Sequence, residues 1–392
     1  MAMSAFVAQS SPKRILIIAG EPSGDLQAAL LLAQVRKLRP EWSFFGVGGP
    51  RMVQQGLEQL VGIEELGVIG FAGVVRKAFF FRRVFARMEH AMRERKPDAV
   101  LLVDYPGFNL RFARRARRQG VKVVYYIAPQ VWAWGEQRVK ILRTAVDLLV
   151  AVFPFEDEYF HSRGVNVFRV GHPLLDVVHA DFNRGEFRRQ YHVPSPAKLI
   201  ALLPGSRPGE VQRHLPVMLA AVSKLGERFS PLAPMIACAP GIAEQKLRSI
   251  SARCGAPDAL MTRDVYSLLA ACDAALVKSG TGTVECAILR TPFVVLYKTG
   301  RINFLIARRL IKTPHLAMVN LIAGKSVVPE FIQDEATPAR LAAAVGELLS
   351  NPHYRELMLQ ELDRVREKLG PPGGAQQAAE IIVEFLERVE ST

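Results

Sequence analysis

Cysteine is scarce in this 392-residue chain, with four residues at positions 238, 254, 272 and 286. That spacing excludes a CxxC metal clamp and a dense disulfide framework, and leaves buried, reduced thiols of a cytosolic protein as the expectation. Long apolar runs are missing too. The nearest, Leu66 to Phe81, is broken by Arg76 and Lys77, so no membrane span is expected. The first residues, MAMSAFVAQSSPKR, lack a basic segment followed by an apolar one, which argues against secretion. No HExxH or HxH occurs and no GxSxG elbow follows a strand, so neither a metal site nor a Ser-His-Asp hydrolase is expected.

Acidic residues are also in deficit. Lys and Arg number 51 against 37 Asp and Glu, a net +14, while 49% of residues are hydrophobic and 22% charged. Such a composition is globular, and the length fits two domains. Divided at His172-Pro173, the first part holds 25 basic against 15 acidic residues and the second 26 against 22. The excess belongs to the first part. Residues 76–96 carry eight basic and two acidic side chains, and residues 111–122 six and none. Phe81, Val84, Phe85, Met88 and Met92 form a stripe at helical spacing, with Phe79 and Phe80 beside it and Arg82, Arg83 and Arg87 off it. The pattern fits a helix lying on a membrane surface, or a core stripe with a solvated basic face. No recognisable nucleic-acid motif accompanies the charge, so a nucleic-acid partner is not expected.

Short β-rich runs alternate with helical stretches: 14–19, 44–47, 99–103, 121–126, 148–152 and 167–170, then 199–203, 235–239, 274–277 and 293–297. Apolar on both faces and separated by helices, they predict parallel sheets covered on both sides. The expected fold is α/β: two tandem doubly wound, Rossmann-like domains facing a cleft, residues 1–172 and 173–350, followed by C-terminal helices over 351–392.

Ligands of such sheets bind at the carboxyl ends of the strands. The loop Gly20-Glu21-Pro22-Ser23-Gly24-Asp25 leads into a helix but matches neither GxGxxG nor GxxxxGK[ST]. Its carboxylates suit sugar hydroxyls better than a bare phosphate, and Ser23 or Asp25 equally fits a helix cap. Asp104, just past an apolar strand in Asp104-Tyr105-Pro106-Gly107-Phe108-Asn109, is placed for a raised pKa and work as a base; capping the turn is the alternative. Trp132 and Trp134 in the 128–135 loop suit a sugar ring, an acyl chain or a domain wedge. Leu203-Pro204-Gly205-Ser206-Arg207 combines glycine, hydroxyl and guanidinium before a helix, as a diphosphate requires. Lys278-Ser279-Gly280-Thr281-Gly282-Thr283-Val284-Glu285 repeats the form, with Glu285 able to accept both hydroxyls of a ribose.

These segments, together with Gly49-Pro50-Arg51-Met52 and Val319-Asn320-Leu321-Ile322-Ala323-Gly324, resemble the lipid A disaccharide synthase family over about residues 14–350. The resemblance implies a B-type-fold (GT-B) inverting hexosyltransferase. It would join UDP-2,3-diacylglucosamine to 2,3-diacylglucosamine 1-phosphate (lipid X) through a β-1,6 bond, with no cofactor. The setting implied is the cytoplasmic face of a bacterial inner membrane, as a peripheral protein. It implies Asp104 as base with Glu21 in support, and Gly205, Ser206 and Arg207 on the diphosphate. Ser279, Gly280 and Thr281 would lie beside the phosphates, Glu285 on the ribose, and Asn320 in a loop closing over the donor. Ser23, Asp25 and Trp132 fall on the acceptor side. Phe79, Phe80, Phe81, Phe85, Arg82 and Arg83 would face an anionic membrane. Some members carry a second aspartate where this chain has Gly107, which concentrates the base role on Asp104 and Glu21. Another UDP-sugar enzyme of the same fold, a 2-epimerase or a soluble-acceptor transferase, is the alternative. The tail beyond Pro338 completes either domain or swaps within a homodimer.

Overall fold

The computed structural model describes residues 11–63, 65, 74–133, 135–310 and 313–388. Trp134 and the side chain of Phe79 lie outside the described residues. Two parallel sheets carry the fold. The first orders its strands β3-β2-β1-β4-β5-β6-β7, formed by Leu57–Gly62, Ser43–Gly48, Arg14–Ala19, Ala99–Val103, Lys122–Tyr126, Leu148–Ala151 and Val167–Arg169. The second runs β10-β9-β8-β11-β12-β13, formed by Leu260–Thr262, Leu232–Ala237, Lys198–Leu203, Ala274–Lys278, Phe293–Tyr297 and Glu330–Ile332. Each sheet starts at its centre and winds outward both ways, so a crevice opens where the strand order reverses, beside β1 and β4 and beside β8 and β11.

The central strands are buried on both faces, and helices between strands complete two cores. Three strands were not foreseen: β3, β10 and β13. Each lies at a sheet edge, and all include half-exposed residues, so none shows a continuous apolar run.

The chain crosses between the sheets twice. Near the first crossing, the backbone N–H of His172 donates to Leu369 O at 2.9 Å. Gly171 and Gly374 interlock there: a Cβ on Gly171 would sit 2.1 Å from Pro371 O, and one on Gly374 1.9 Å from Gly171 O. The Pro352–Lys368 helix stays on the second sheet's side, whereas the Gly374–Arg388 helix packs on the Pro22–Leu38 helix of the first. Arg39 and Glu387 close that return with a two-pronged ion pair.

The basic helix, Val74–Arg95, corrects one expectation. Val84, Met88 and Met92 are buried against the first sheet, and Phe80, Phe81 and Phe85 pack half-buried on the same core. Phe85 lies 5.4 Å from both Phe108 and Phe112, and Phe81 lies 6.3 Å from Tyr105. These phenylalanines are the edge of a core rather than free lipid anchors. Arg82, Arg83 and Arg87 are exposed.

Candidate active site

On the first domain, Glu21 is the N-cap of the Pro22–Leu38 helix, with extended backbone and Pro22 at the first helical position. Its side chain makes no cap and points elsewhere: Oε2 lies 2.6 Å from a guanidinium nitrogen of Arg207, on the second domain. Ser23 stays half-buried in the first turn. Asp25 is corrected from a sugar ligand to a scaffold residue. It is 3% exposed, and its oxygens accept from the backbone N–H groups of Gly49, Arg51 and Met52. The carboxylate thereby caps the Pro50–Gln54 helix, tying the GEPSGD motif to the GGPRM motif.

At the end of β4 the backbone turns sharply, with φ of +46° at Asp104 and +50° at Tyr105. Two consecutive left-handed residues other than glycine persist only where surrounding bonds fix them. Here Asp104 O accepts from Asn109 Nδ2 at 2.7 Å and from Tyr125 Oη at 2.6 Å, and Asp104 N–H donates to Tyr126 O. Loss of water and the neighbouring Glu21 charge push the Asp104 carboxyl up to about 7, against the Tyr105 N–H and Arg207. The side chain is held at the domain boundary in a protonation range suited to a base.

Trp132 is not a free platform. Its ring meets Phe155 edge-on at 4.7 Å and its indole N–H donates to Glu156, a fully buried carboxyl that also accepts from Val152 and Phe153 N–H. Burial pushes Glu156 up to about 7.

On the second domain, Gly205 has φ of +120°, and a Cβ there would sit 2.6 Å from a carboxylate oxygen of Glu210. Glu210 fills the turn, accepting from Ser206 N–H at 3.2 Å and pairing with Arg207 at 3.4 Å and Lys278 at 3.0 Å. Lys278, at the end of β11, therefore links the two glycine-rich loops. Its ammonium also lies where a Cβ on Gly280 would approach to 3.2 Å. The His214 ring braces the floor: Nε2 accepts from Lys298 N–H, so Nδ1 carries the proton and donates to Pro204 O. Ser279 uses its hydroxyl on Leu316 O, and Thr281 is exposed at the N-cap of the Gly282–Ile288 helix. Desolvation pushes Glu285 up to about 7, opposed by a hydrogen bond with Tyr266 and by the charge of Arg51 from the first domain.

Asn320, expected in a loop closing over the donor, is fully buried: it donates to Val328 O and Glu330 and accepts from Val327 and Val328 N–H, so its side chain is spent on its own loop. Asn320→Ala is expected to lower unfolding free energy by about 1–3 kcal/mol, since its partners lose their bonds. A denaturant midpoint equal to wild type together with weaker UDP binding would return Asn320 to the donor.

The structure thus brings Glu21, Asp104 and Arg207 together, and joins Gly205, Ser206 and Gly280 through Glu210 and Lys278. Sequence reasoning gave no role to Lys278, Glu210, Arg51 or Tyr266. Glu210 was findable one turn into the helix after Arg207, and Lys278 at the head of its loop. Arg51 stood in the quoted Gly49-Pro50-Arg51-Met52 motif without an assigned partner, and Tyr266 carried no local signal.

A family model described as lipid-A-disaccharide synthetase matches residues 15–382. The lipid-A-disaccharide synthase of Syntrophus aciditrophicus is 40% identical over 377 residues, covering 96% of this chain and 98% of that protein. Its counterpart from Geobacter sulfurreducens is 39% identical over 379 residues, at 96% and 98% coverage. Among solved structures, a UDP complex of MnaA from S. aureus aligns with TM-score 0.65 at 14% identity, covering 96% and 97% of the two chains. The glycotransferase of kitacinnamycin aligns with TM-score 0.64 at 15% identity, covering 96% and 100%. Likeness at that identity carries the fold alone and does not favour the epimerase alternative. Two doubly wound sheets, motifs at their strand ends and whole-length identity to synthases lead to one assignment: the chain belongs to the lipid-A-disaccharide synthase family, a family of GT-B glycosyltransferases.

Proposed function

We propose that this chain transfers the 2,3-diacylglucosaminyl group from UDP to the 6-hydroxyl of 2,3-diacylglucosamine 1-phosphate, with inversion. The acceptor oxygen bonds to the anomeric carbon, the bond from that carbon to the β-phosphate breaks, and UDP departs. Asp104 takes the hydroxyl proton. Glu21 orients the sugar and tunes Asp104 through its charge. Arg207 and Lys278 stabilise the charge developing on the diphosphate, joined by Ser206 N–H once the diphosphate takes it over from Glu210. Glu285, held by Tyr266, takes the ribose. One observation carries the reading: the Glu21–Arg207 pair joins the loop beside the base, whose charge acts on Asp104, to a loop built for an anion. A diphosphate competes with Glu21 for Arg207, so donor binding loosens that contact and opens space beside Asp104.

The acceptor and donor are acylated anions, which supports contact with the cytoplasmic face of an anionic membrane. A groove of about 310 Å³ between the Val74–Arg95 and Pro106–Arg118 helices is lined by Phe85, Glu89, Arg111, Arg114, Arg115 and Arg118. Glu89 neutralises Arg115, while Arg111, Arg114 and Arg118 are exposed. Electrostatic attraction there would add to apolar contact.

The direct test is UDP release with UDP-2,3-diacylglucosamine and lipid X, each omitted in turn. Release is expected only with both, and equal release with a water-soluble acceptor would favour the other enzyme class. A base works ionised, so kcat is expected to rise with pH and level off above about 7, falling tenfold per unit below. Glu21→Gln removes a charge that raises the Asp104 pKa and should move that limb to lower pH; an unmoved limb would separate the two groups.

A further inference from the structure

A net charge of only +4 after His172 conceals a second basic segment. Between Glu285 and Glu330 there is no Asp or Glu, while Arg290, Lys298, Arg301, Arg308, Arg309, Lys312 and Lys325 fall inside the interval. Its centre is the Arg301–Leu310 helix, which follows β12 at the carboxyl edge of the second sheet. β12 neighbours β11, the strand that ends in the Lys278–Glu285 loop, so the helix is rooted one strand away from the donor loop.

The root is firm. Thr299 and Gln333 exchange two hydrogen bonds, Thr299 N–H to Oε1 at 2.7 Å and Nε2 to Thr299 O at 3.1 Å. Lys298 donates its ammonium to Gln333 O and Ala336 O, and its backbone N–H to His214. Lys298 is therefore used inside the fold, and the exposed charge comes from the helix.

On a helical wheel, positions 301, 305, 308 and 309 fall within an arc of roughly 100°. All four are exposed, and Phe304 borders them half-buried. Leu305, at 60% exposure, is the most exposed large apolar side chain among the described residues. Arg301, Arg308 and Arg309 make no ion pair among the described residues. A core helix would turn such a leucine inward, and a merely solvated face would not set it among three arginines. An apolar centre ringed by guanidinium groups is complementary to a bilayer with anionic headgroups, where the leucine enters the interface and the arginines meet phosphates.

We propose that the exposed face of the Arg301–Leu310 helix is a lipid-contact surface on the donor-binding domain, taking an anionic phospholipid surface. The proposal rests on the reading of acylated substrates at a membrane and goes beyond it, since that reading used the first domain alone. The two domains then dock independently on one bilayer, each beside its own substrate.

The test is co-sedimentation of the full chain with phosphatidylcholine vesicles, with and without phosphatidylglycerol. Three variants are compared: Arg301→Gln/Arg308→Gln/Arg309→Gln, Leu305→Ser, and Arg82→Gln/Arg83→Gln/Arg87→Gln as the first-domain arm. A UDP-induced rise in Tm equal to wild type certifies folding of each. The second-domain arginine variant is expected to lose about tenfold or more of its partition into phosphatidylglycerol vesicles, and Leu305→Ser several-fold. Wild-type partition by both, with loss only in the first-domain arm, overturns the proposal and leaves the membrane reading standing. Loss with the arginine variant but not with Leu305→Ser overturns the lipid assignment in favour of a general polyanion surface. A wild-type chain that ignores both vesicles yet releases UDP with the two substrates in detergent overturns this proposal and membrane docking, but not the reaction.

Discussion

Asp104→Asn is expected to lower kcat by about 10²–10⁴-fold, the usual contribution of a positioned base, while UDP still raises the melting temperature. Asparagine is the informative replacement. Asp104 sits at φ of +46°, a region that Asn tolerates and that is strained for most other side chains, so alanine would mix backbone strain with the loss of a base. The main-chain bonds to Asn109, Tyr125 and Tyr126 involve no side-chain atom of Asp104 and survive the change. Only the proton acceptor is lost. A kcat within threefold of wild type would remove Asp104 as base and pass the role to Glu21.

Arg207→Ala is expected to reduce kcat/KM for the donor by about 10²–10³-fold, as loss of a group that stabilises a developing anion does. The side chain is 54% exposed, its pair with the partly exposed Glu21 lies at a water-facing boundary, and Glu210 keeps Lys278 as a partner when Arg207 is lost. Pairs of that kind are worth about 0–1 kcal/mol to folding, so the melting temperature should hardly move. A large kinetic loss beside a small stability loss is the signature of a ligand contact. Arg207→Lys should recover only part, because an ammonium lacks the planar fork that grips two phosphate oxygens. Unchanged donor kinetics in Arg207→Ala would leave Lys278 and the backbone donors as the diphosphate site.

Both expectations turn on a boundary that local patterns describe only in part. Central strands were readable because residues such as Ile15–Ile18, Val100–Leu102 and Leu199–Leu202 are apolar on both faces. Edge strands such as Leu260–Thr262 and Glu330–Ile332 were not, since three residues with half-exposed faces carry no period. The loops after the central strands were legible as candidate sites for the same reason: their place follows from the strands before them.

What a given polar residue does inside such a loop was harder to read. Asp25 and Asn320 stand in motifs that promised ligand contacts, yet each satisfies backbone groups that would otherwise be buried without partners. Motif membership records that a residue matters to the fold or to the ligand without saying which. The arginines of the Arg301–Leu310 helix escaped for another reason. Summed over half the chain their charge is diluted to +4 by acids elsewhere, and it stands out only when the acid-free interval from Glu285 to Glu330 is taken by itself.

Taken alone, the sequence determined the α/β class, the two-sheet organisation, the family and the positions of the strand-end loops. Those properties follow from hydrophobic period and short motifs, which are local. Tertiary structure decided which polar residues are free to meet a ligand and which are committed to the scaffold. It also decided that Glu21 meets Arg207 and that Lys278 meets Glu210, contacts spanning 186 and 68 positions of chain. Ion pairing, desolvation and the pKa of Asp104 depend on distance in space, and no period in the chain encodes it.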